Sequence, residues 1–369
     1  MKIVVLGGAG DMGSATVQDL LKFTDVRQVT VAARNTSKAE KMVSALGDPR
    51  AVVQKIDASS HVDLVKVMQG HDVAAGALGP FYRFEKPLVE AALAAGVDYV
   101  SICDDHDAVQ AVLSFDRAAA EKGRKIITGL GWTPGITNIL ARKGYDELEE
   151  VDTIRVFWAG SAGDSEGLAV ILHTLHIFTG KVASFQGGQL IDIHAGSGKE
   201  IVDFPQPLGE ITVFHLGHPE PVTLPRYLPG VQEVILKGGL VENYLSSLAK
   251  MMTALGLTST FSRKHKLGTL MKKLLPFFPA ARNRSLSGAR VDIAGKRNGK
   301  KVQITYATVD RMRRLTGIPL SIGAYMLGQG KIKRCGVFGP EADGAIYPDA
   351  FIQELARRNI KVERWETVI

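Results

Sequence analysis

The sequence has little cysteine and no long uninterrupted apolar run. Its two cysteines, Cys103 and Cys335, stand far apart and form no metal-spaced cluster, so a reducing cytoplasm is the expected compartment. No apolar run reaches the roughly 18 residues of a membrane-spanning helix, and the chain opens directly on an apolar strand, so no signal peptide is expected. With 369 residues, 45% hydrophobic and 22% charged, the chain can fill more than one core, and two domains are predicted.

Basic residues exceed acidic residues, for a formal net charge of +7. Much of the excess lies in one stretch, RKHKLGTLMKKLLPFFPAARNR at 263–284. A positive field also favours an acidic small ligand such as a phosphorylated dinucleotide, so nucleic acid is not an expected partner. The same stretch could lie on a membrane surface. Because Pro276 and Pro279 limit any helix there, an ordinary surface helix and loop is predicted instead, and no membrane partner is expected.

Glycines cluster between the first strand and the first helix, in MKIVVLGGAGDMGSATVQDLL. With this GxGxxG spacing, Gly8 is expected to make the sharp turn, Gly10 to let the backbone approach a pyrophosphate, and Gly13 to let the helix pack closely on the strand. The helix N-terminus then points at the phosphate charge. A glycine turn without a ligand is the alternative, which the strand–turn–helix context disfavours. The expected cofactor contacts in this turn are Gly8, Ala9, Gly10, Asp11, Met12 and Gly13.

No acidic residue follows the second strand, QVTVAA at 28–33. In dinucleotide-binding sheets an acid at this place accepts hydrogen bonds from the adenosine ribose and selects NAD. Here Arg34 and Asn35 follow, and a guanidinium can pair with the 2'-phosphate of NADP. The predicted cofactor is therefore NADP(H); the alternative is a solvated surface arginine. Asp57, after the third strand, is a candidate partner for the adenine amino group or else a helix cap.

Strand and helix patterns alternate as far as RKIITGL at 124–130. This alternation predicts an α/β fold with a doubly wound parallel sheet of the Rossmann type. From about residue 134 longer strands follow, including a hairpin around Asn298-Gly299, which indicate antiparallel strands of a second α/β (α+β) domain. The segment 239–257 reads as a helix, and helical patterns return at 309–328. We therefore expect an NADP-binding domain from 1–133 and 310–369, and a substrate-binding or dimerisation domain from 134–309.

Six segments together resemble one family. They are the glycine turn, ARN after the second strand, GPF (79–81), GVDYVSICD (96–104), GLGWTPGITNILA (129–141) and TGIPLSIGAYMLGQGKIKRCGVFGPE (316–341). The chain is similar to the saccharopine dehydrogenase and reductase family, including its lysine 6-dehydrogenase and carboxynorspermidine dehydrogenase relatives. The resemblance implies a Rossmann domain completed by C-terminal helices, a second domain that often dimerises, and NAD(P)-linked chemistry at the carbon–nitrogen bond of amino acids. Where relatives carry a GGLP-type loop, this chain reads WAGSAGDSEGLA (158–169), so its substrate contacts differ.

The loops after the fourth and fifth strands hold the candidate chemistry, since open α/β sheets bind ligands at the carboxyl ends of their strands. Gly79 and Pro80 would let the backbone pass close to the nicotinamide ribose. In CDDHD (103–107), Asp104 is the expected proton-handling residue, with Cys103 and His106 as further candidates. The alternative is an acidic N-cap run that opens the helix at 106.

Substrate contacts are predicted from the resemblance. Arg226, in RYLPG, is similar to the arginine of an RYPG stretch that faces the substrate carboxylate in relatives, although an extra residue interrupts the match. A strand-edge arginine paired with a surface acid is the alternative. Trp132, in the GLGWTPG segment, is the second expected contact. The expected partners are a small amino-acid-like substrate and a second copy of the chain in a homodimer.

The sequence also permits other interpretations of two histidines and of the function. His173 and His176 have one-turn spacing without an evident third ligand, so packing is expected there and no metal site is predicted. Because fold and cofactor site alone do not establish turnover, a non-catalytic NADP-binding protein and a lipid-acting reductase are the alternatives to the dehydrogenase.

The first prediction concerns cofactor choice. Because Arg34 can pair with a 2'-phosphate, we expect NADPH to bind at least about tenfold more tightly than NADH, about 1.4 kcal/mol. Arg34→Asp should reverse this preference. Calorimetric titrations with both nucleotides measure it, and equal or tighter binding of NADH to the unaltered protein would remove the argument.

Overall fold

The computed structural model describes residues 1–164, 167–274 and 285–369. Parts of two segments discussed above, 165–166 of the loop at 158–169 and 275–284 of the basic stretch, lie outside these residues. The chain forms two compact units, one made of Met1–Ile136 and Arg313–Tyr347, the other of Thr137–Met312 and Pro348–Ile369.

The described residues form sixteen strands and thirteen α-helices, numbered in chain order. The strands are β1 (Lys2–Leu6), β2 (Gln28–Ala33), β3 (Ala51–Lys55), β4 (Val73–Gly76), β5 (Asp98–Ser101), β6 (Lys125–Ile127), β7 (Glu150–Gly160), β8 (Lys181–Gln186), β9 (Gln189–His194), β10 (Glu200–Phe204), β11 (Gly209–His215), β12 (Glu233–Leu240), β13 (Ser287–Arg297), β14 (Lys300–Asp310), β15 (Gly336–Phe338) and β16 (Glu363–Val368). The helices are α1 (Asp11–Phe23), α2 (Thr36–Leu46), α3 (His61–Met68), α4 (Phe81–Ala95), α5 (His106–Leu113), α6 (Asp116–Glu121), α7 (Ile136–Asp146), α8 (Leu168–Ile177), α9 (Glu220–Tyr227), α10 (Asn243–Ala254), α11 (Phe261–Leu274), α12 (Met312–Gly328) and α13 (Pro348–Arg357).

The first unit is built on a seven-stranded sheet in the order β15-β6-β5-β4-β1-β2-β3. Every neighbouring pair in it is parallel. The inner strands are apolar and buried, as strands covered on both faces must be. The strand order reverses between β1 and β4, and such a switch point opens a crevice at the carboxyl ends of the strands. The predicted doubly wound sheet is confirmed.

Helix α12 returns to the first unit and packs on α1. The Thr16 hydroxyl donates to the carbonyl of Gly317 (2.9 Å), and the Ser321 hydroxyl donates to the Asp19 carboxylate (2.6 Å). A Cβ on Gly317 would lie 2.6 Å from the carbonyl oxygen of Met12 and 2.7 Å from the Cβ of Ala15. The two helices therefore approach so closely that only glycine fits between them.

The second unit is built on a mixed nine-stranded sheet in the order β10-β11-β12-β7-β13-β14-β16, with β8 pairing to β12 and to β9. The predicted hairpin is β13 and β14, with Asn298 and Gly299 both at positive φ in the turn. The expectation of antiparallel strands is corrected at one place, because β7 and β12 are parallel. The chain between them is a long crossover containing α8 and α9, which parallel pairing requires.

Two predicted boundaries are also corrected. The return to the first unit ends at Tyr347 and not at the end of the chain, because β16 pairs with β14 in the second sheet. The helix predicted over 239–257 begins only at Asn243, because residues 239 and 240 complete strand β12 beside β7. Among the described residues, no helix combines the length and apolar character needed to cross a membrane.

The second prediction tests the close packing of α12 on α1. Gly317→Val should lower the free energy of unfolding of the first unit by about 1–3 kcal/mol, because the added side chain overpacks against Met12 and Ala15. Urea unfolding followed by circular dichroism measures the loss. Gln329→Val is the control, since it adds the same side chain at an exposed position just past α12. Equal transitions in Gly317→Val and the unaltered protein would contradict the packing.

Candidate dinucleotide and substrate sites

The turn after β1 depends on Gly7. This residue has a φ of +79°, in the left-handed region that favours glycine. A Cβ on it would lie 2.6 Å from the carbonyl oxygen of Ala77, in the segment after β4. The sharp turn was predicted at Gly8, but Gly7 makes it. A hydrogen bond from the Gly10 amide to the Gly7 carbonyl (2.9 Å) closes the turn.

The predicted role of Gly13 in close packing is visible in the structure. A Cβ on Gly13 would lie 2.9 Å from the Cα of Gly8 and collide with the carbonyl oxygen of Gly7. Gly10 is the N-cap of α1 and has no side chain to cover the helix end. Asp11 and Met12 follow in the first turn of α1, whose amide groups have no acceptor within the helix. These glycines leave a cradle that fits an approaching pyrophosphate.

The carboxyl ends of β2 and β3 carry the candidate 2'-phosphate contacts. Arg34 is exposed directly beyond β2. Asn35 uses its side-chain oxygen to cap α2, accepting from the Lys38 amide (3.2 Å). Asp57 accepts from the amide (2.9 Å) and hydroxyl (2.7 Å) of Ser59, and these bonds lower the pKa of Asp57, with a smaller contribution from the Arg34 charge. Asp57 therefore forms a local turn, and Arg34 lies within its electrostatic reach.

The acidic run after β5 has divided roles. Asp105 is fully buried at the N-cap position of α5, yet its carboxylate accepts from the Tyr82 amide (2.8 Å) in the first turn of α4. Asp107 is exposed and accepts from the Ala108 amide (2.9 Å). Asp104 and His106 are half-buried. The buried Asp105 thus ties the loop after β5, which carries Asp104, to the start of α4, which has Pro80 as its N-cap.

A buried carboxyl group lies beneath this loop. Glu85 on α4 is fully buried and accepts from the hydroxyls of Tyr99 (3.0 Å), Ser101 and Thr128 (3.1 Å). Burial raises the pKa of Glu85 to about 7, although these three bonds act in the opposite direction. Cys103 is also fully buried, and burial together with the Glu85 charge raises the pKa of its thiol well above the ordinary value.

Trp132 lies in a tight turn that follows β6. The Gly131 amide donates to the Pro134 carbonyl (2.9 Å), and the Ile136 amide donates to the Gly131 carbonyl (3.0 Å). Cβ atoms on Gly129 and Gly131 would lie 3.2 Å from the Cys103 carbonyl oxygen and the Ile102 Cβ, respectively. The turn that carries Trp132, which is buried, therefore packs against the segment that carries Cys103.

Arg226 belongs to the second unit and lies in the last turn of α9, where it is exposed. The alternative of a strand-edge arginine is therefore excluded by the helix. Its guanidinium lies 5.9 Å from the ring centroid of Tyr227.

The second unit also contains a buried polar cluster on and around α9. Glu220 is fully buried and accepts from the Thr137 hydroxyl (3.1 Å), and the Asn138 side-chain amide donates to the Thr223 hydroxyl (3.1 Å). His218, also buried, has its Nδ1 3.9 Å from the Glu220 carboxylate. The cluster places a carboxylate and an imidazole close together in the interior of the second unit.

The two histidines of α8 have different neighbours. Nε2 of His173 lies 3.4 Å from Nε2 of His218, with the rings edge to face. Nδ1 of His176 lies 2.7 Å from the ammonium group of Lys264 on α11. His173 is thus joined to the buried cluster of Glu220 and His218, and His176 is joined to α11.

The glycine cradle at the switch point of a parallel sheet defines the first unit as a dinucleotide-binding domain. Residues 3–127 match the family model of the saccharopine dehydrogenase NADP binding domain. The resemblance found in the sequence is confirmed, and NADP(H) is the cofactor of this domain.

Individual relatives extend the comparison to the whole chain. Carboxyaminopropylagmatine dehydrogenase of Synechocystis sp. is 24% identical over 404 aligned residues, which cover 100% of this chain and 98% of the relative. A protein of Mycobacterium tuberculosis whose proposed activity is that of a trans-acting enoyl reductase is 25% identical over 173 residues, 44% of this chain and 41% of that one. The solved structure of apo saccharopine dehydrogenase (L-Glu forming) from Saccharomyces cerevisiae superimposes with a TM-score of 0.71 at 15% identity, covering 100% of both chains, and shows the same fold.

Sequence reasoning missed three features of these sites. The Gly7-Gly8 pair in the sequence does indicate the turn, since either glycine can adopt the positive φ. No local pattern indicates the role of Glu85, because its partners lie 14, 16 and 43 residues away along the chain. The link from His173 to His218 and Glu220 likewise joins separate elements.

The third prediction concerns the pH dependence of stability. Because the pKa of Glu85 is raised to about 7 in the folded protein from an ordinary value of 4.5, the folded state holds a proton that the unfolded state releases. This contribution to stability is present below the ordinary pKa and is lost as the pH rises through about 7. Glu85→Gln, which stays neutral, should therefore gain stability relative to the unaltered protein between about pH 5 and pH 8, by up to about 3 kcal/mol.

Urea unfolding at several pH values measures this difference. Glu90→Gln is the control, since Glu90 is on the same helix with 41% of its side chain exposed. A constant difference between Glu85→Gln and the unaltered protein across this pH range would show that Glu85 does not titrate in the folded state.

Proposed function

We propose that the chain is an NADP(H)-dependent oxidoreductase that transfers a hydride at the carbon–nitrogen bond of an amino acid or of its imine adduct. One observation carries the proposal. At the switch point of the parallel sheet, the glycine cradle lies beside the segment after β4, and the buried Asp105 joins the loop after β5 to the first turn of α4. The Synechocystis relative, which is similar over the whole chain, is named as a dehydrogenase and supports the oxidoreductase part of the proposal.

The cofactor is held by backbone groups and one cation in this proposal. The amides at the N-terminus of α1, reached over Gly8, Ala9 and Gly10, bind the pyrophosphate. Arg34 pairs with the 2'-phosphate, and Asn35 stabilises the helix start beside it. At Gly79 and Pro80 the backbone lies close to the nicotinamide ribose. When bound, the cofactor accepts or supplies the hydride.

Asp104 is the general acid–base group of the proposed reaction. In the oxidative direction, the substrate carbon gives up a hydride and its nitrogen gives up a proton, which the Asp104 carboxylate accepts. Cys103 is a poorer candidate, because its buried thiol has a raised pKa and stays protonated at neutral pH. Asp105 is already engaged with the Tyr82 amide. His106, half-buried at the start of α5, is the second candidate for the proton.

Arg226 is the proposed anchor for the substrate carboxylate, since an exposed guanidinium can form a bidentate pair with it. Trp132 is the proposed apolar contact. The amino-acid-like substrate, the homodimer and the cytoplasmic location expected from the sequence stay predictions.

A second reaction is favoured by one comparison. The match to the M. tuberculosis relative, whose proposed activity is enoyl reduction, lies over 173 residues. A reductase acting on a carbon–carbon double bond of a lipid would use the same nucleotide domain but would have no use for a carboxylate anchor such as Arg226. Activity with an enoyl thioester and none with amino acids would favour this reaction.

The fourth prediction tests Asp104. Asp104→Asn should preserve NADPH binding, because the phosphates are held by the turn after β1, and lower turnover by about 10²- to 10⁴-fold, as expected for a positioned acid–base group. The assay follows NADPH oxidation with 2-oxo acids plus amines, and NADP reduction with lysine, saccharopine and related amino acids.

Asp107→Asn is the matched control, because Asp107 is exposed, lies in the same acidic run and accepts a hydrogen bond from the adjacent Ala108 amide. Unchanged turnover in Asp104→Asn would show that Asp104 is not the acid–base group. Absence of turnover with all these substrates in the unaltered protein would instead favour enoyl reduction or NADP binding without catalysis.

A further inference from the structure

Exposed apolar side chains are concentrated in one part of the second unit. Sixteen large apolar side chains are exposed among the described residues, and seven of them fall within 244–274. They are Tyr244, Met251, Leu255, Leu257, Phe261, Leu270 and Leu274. Single exposed apolar residues need no explanation, but a cluster of this kind marks an interaction surface.

Most of these side chains form stripes along two helices. On α10 and just beyond it, the exposed Tyr244, Met251 and Leu255 recur with the half-buried Leu248 at the spacing of one helix face. On α11, the exposed Leu270 and Leu274 follow the half-buried Leu267 at the same spacing. A groove of about 140 Å³ between the helices is lined wholly by apolar side chains. Its lining is Leu245, Leu248, Met252, Leu267, Leu270, Met271 and Leu274.

The charge of the same face has one sign. From residue 243 to residue 274 the sequence contains no aspartate or glutamate. Arg263, Lys266, Lys272 and Lys273 are exposed along α11, beside the apolar stripe. Lys264, in contrast, is buried and contacts His176, so it belongs to the interior.

We propose that the α10–α11 face, defined by residues 244–274, binds the surface of an anionic phospholipid bilayer. The apolar stripes would enter the boundary between head groups and acyl chains, while the lysines reach the lipid phosphates. A second copy of the chain fits the face less well, because a two-fold contact would bring two basic surfaces without acids together. The sequence favoured an ordinary surface helix here, but the exposed stripes on both helices favour a lipid partner.

The test is sedimentation of the full chain with lipid vesicles. Vesicles of phosphatidylcholine with about 30% phosphatidylglycerol should carry the protein down, and binding should weaken with added salt, because the lysines act through screened charge. Vesicles of phosphatidylcholine alone should bind it much less. Lys272→Glu with Lys273→Glu should lower the partition coefficient at least about tenfold, and Leu270→Ser with Leu274→Ser should lower it as well.

Lys300→Glu with Lys301→Glu is the matched control, since both lysines are exposed at the turn of the β13–β14 hairpin. It should bind the anionic vesicles like the unaltered chain, and urea unfolding followed by circular dichroism checks that each variant is folded. The proposal is overturned if the unaltered chain ignores anionic vesicles, binds neutral ones equally well, or loses as much binding in the control pair. It is also overturned if sedimentation equilibrium shows that Leu270→Ser with Leu274→Ser abolishes self-association while vesicle binding is unchanged.

Discussion

The first unit depends on the close approach of backbone around the turn after β1. Gly7 lies against the carbonyl of Ala77, and Gly13 lies against Gly7 and Gly8, with no space for a Cβ at either position. This contact fixes the direction of α1, so that its N-terminus opens on the crevice between β1 and β4. The next layer repeats the constraint, because Gly317 of α12 meets Met12 and Ala15 of α1. Cofactor site and helix packing thus share one steric requirement.

Two buried carboxyl groups support the candidate catalytic loop after β5. Glu85 gathers the hydroxyls of Tyr99, Ser101 and Thr128 in the interior, and the raised pKa shows the cost of placing a carboxyl group there. Asp105 adds a bond from the loop after β5 to the first turn of α4. Together the two acids join α4 to β5 and to the loops that follow β5 and β6. Acidic residues that stand together in the sequence therefore have different structural roles.

Local patterns predicted the parallel sheet, because each strand and each helix has its own hydrophobic periodicity. The spacing of the glycines likewise indicates the tight turn between β1 and α1. Features that join distant segments could not be predicted. The parallel pairing of β7 with β12 needs a crossover whose path no local pattern specifies. Strand β16 reads as a charged tail in ERWETV, and only its pairing with β14 makes it a strand. The hydroxyl partners of Glu85 and the contact of His173 with His218 are invisible for the same reason.

The central claim is hydride transfer at a carbon–nitrogen bond, and isotope transfer tests it most directly. NADPH deuterated at the transferring position would be incubated with the protein and a mixture of 2-oxo acids, amines and amino acids, and the products analysed by mass spectrometry. The account predicts a product that gains one deuterium on the carbon bonded to nitrogen. Deuterium delivered to a carbon–carbon double bond of an added enoyl thioester, or retained wholly in the nucleotide while NADPH binds, would contradict it.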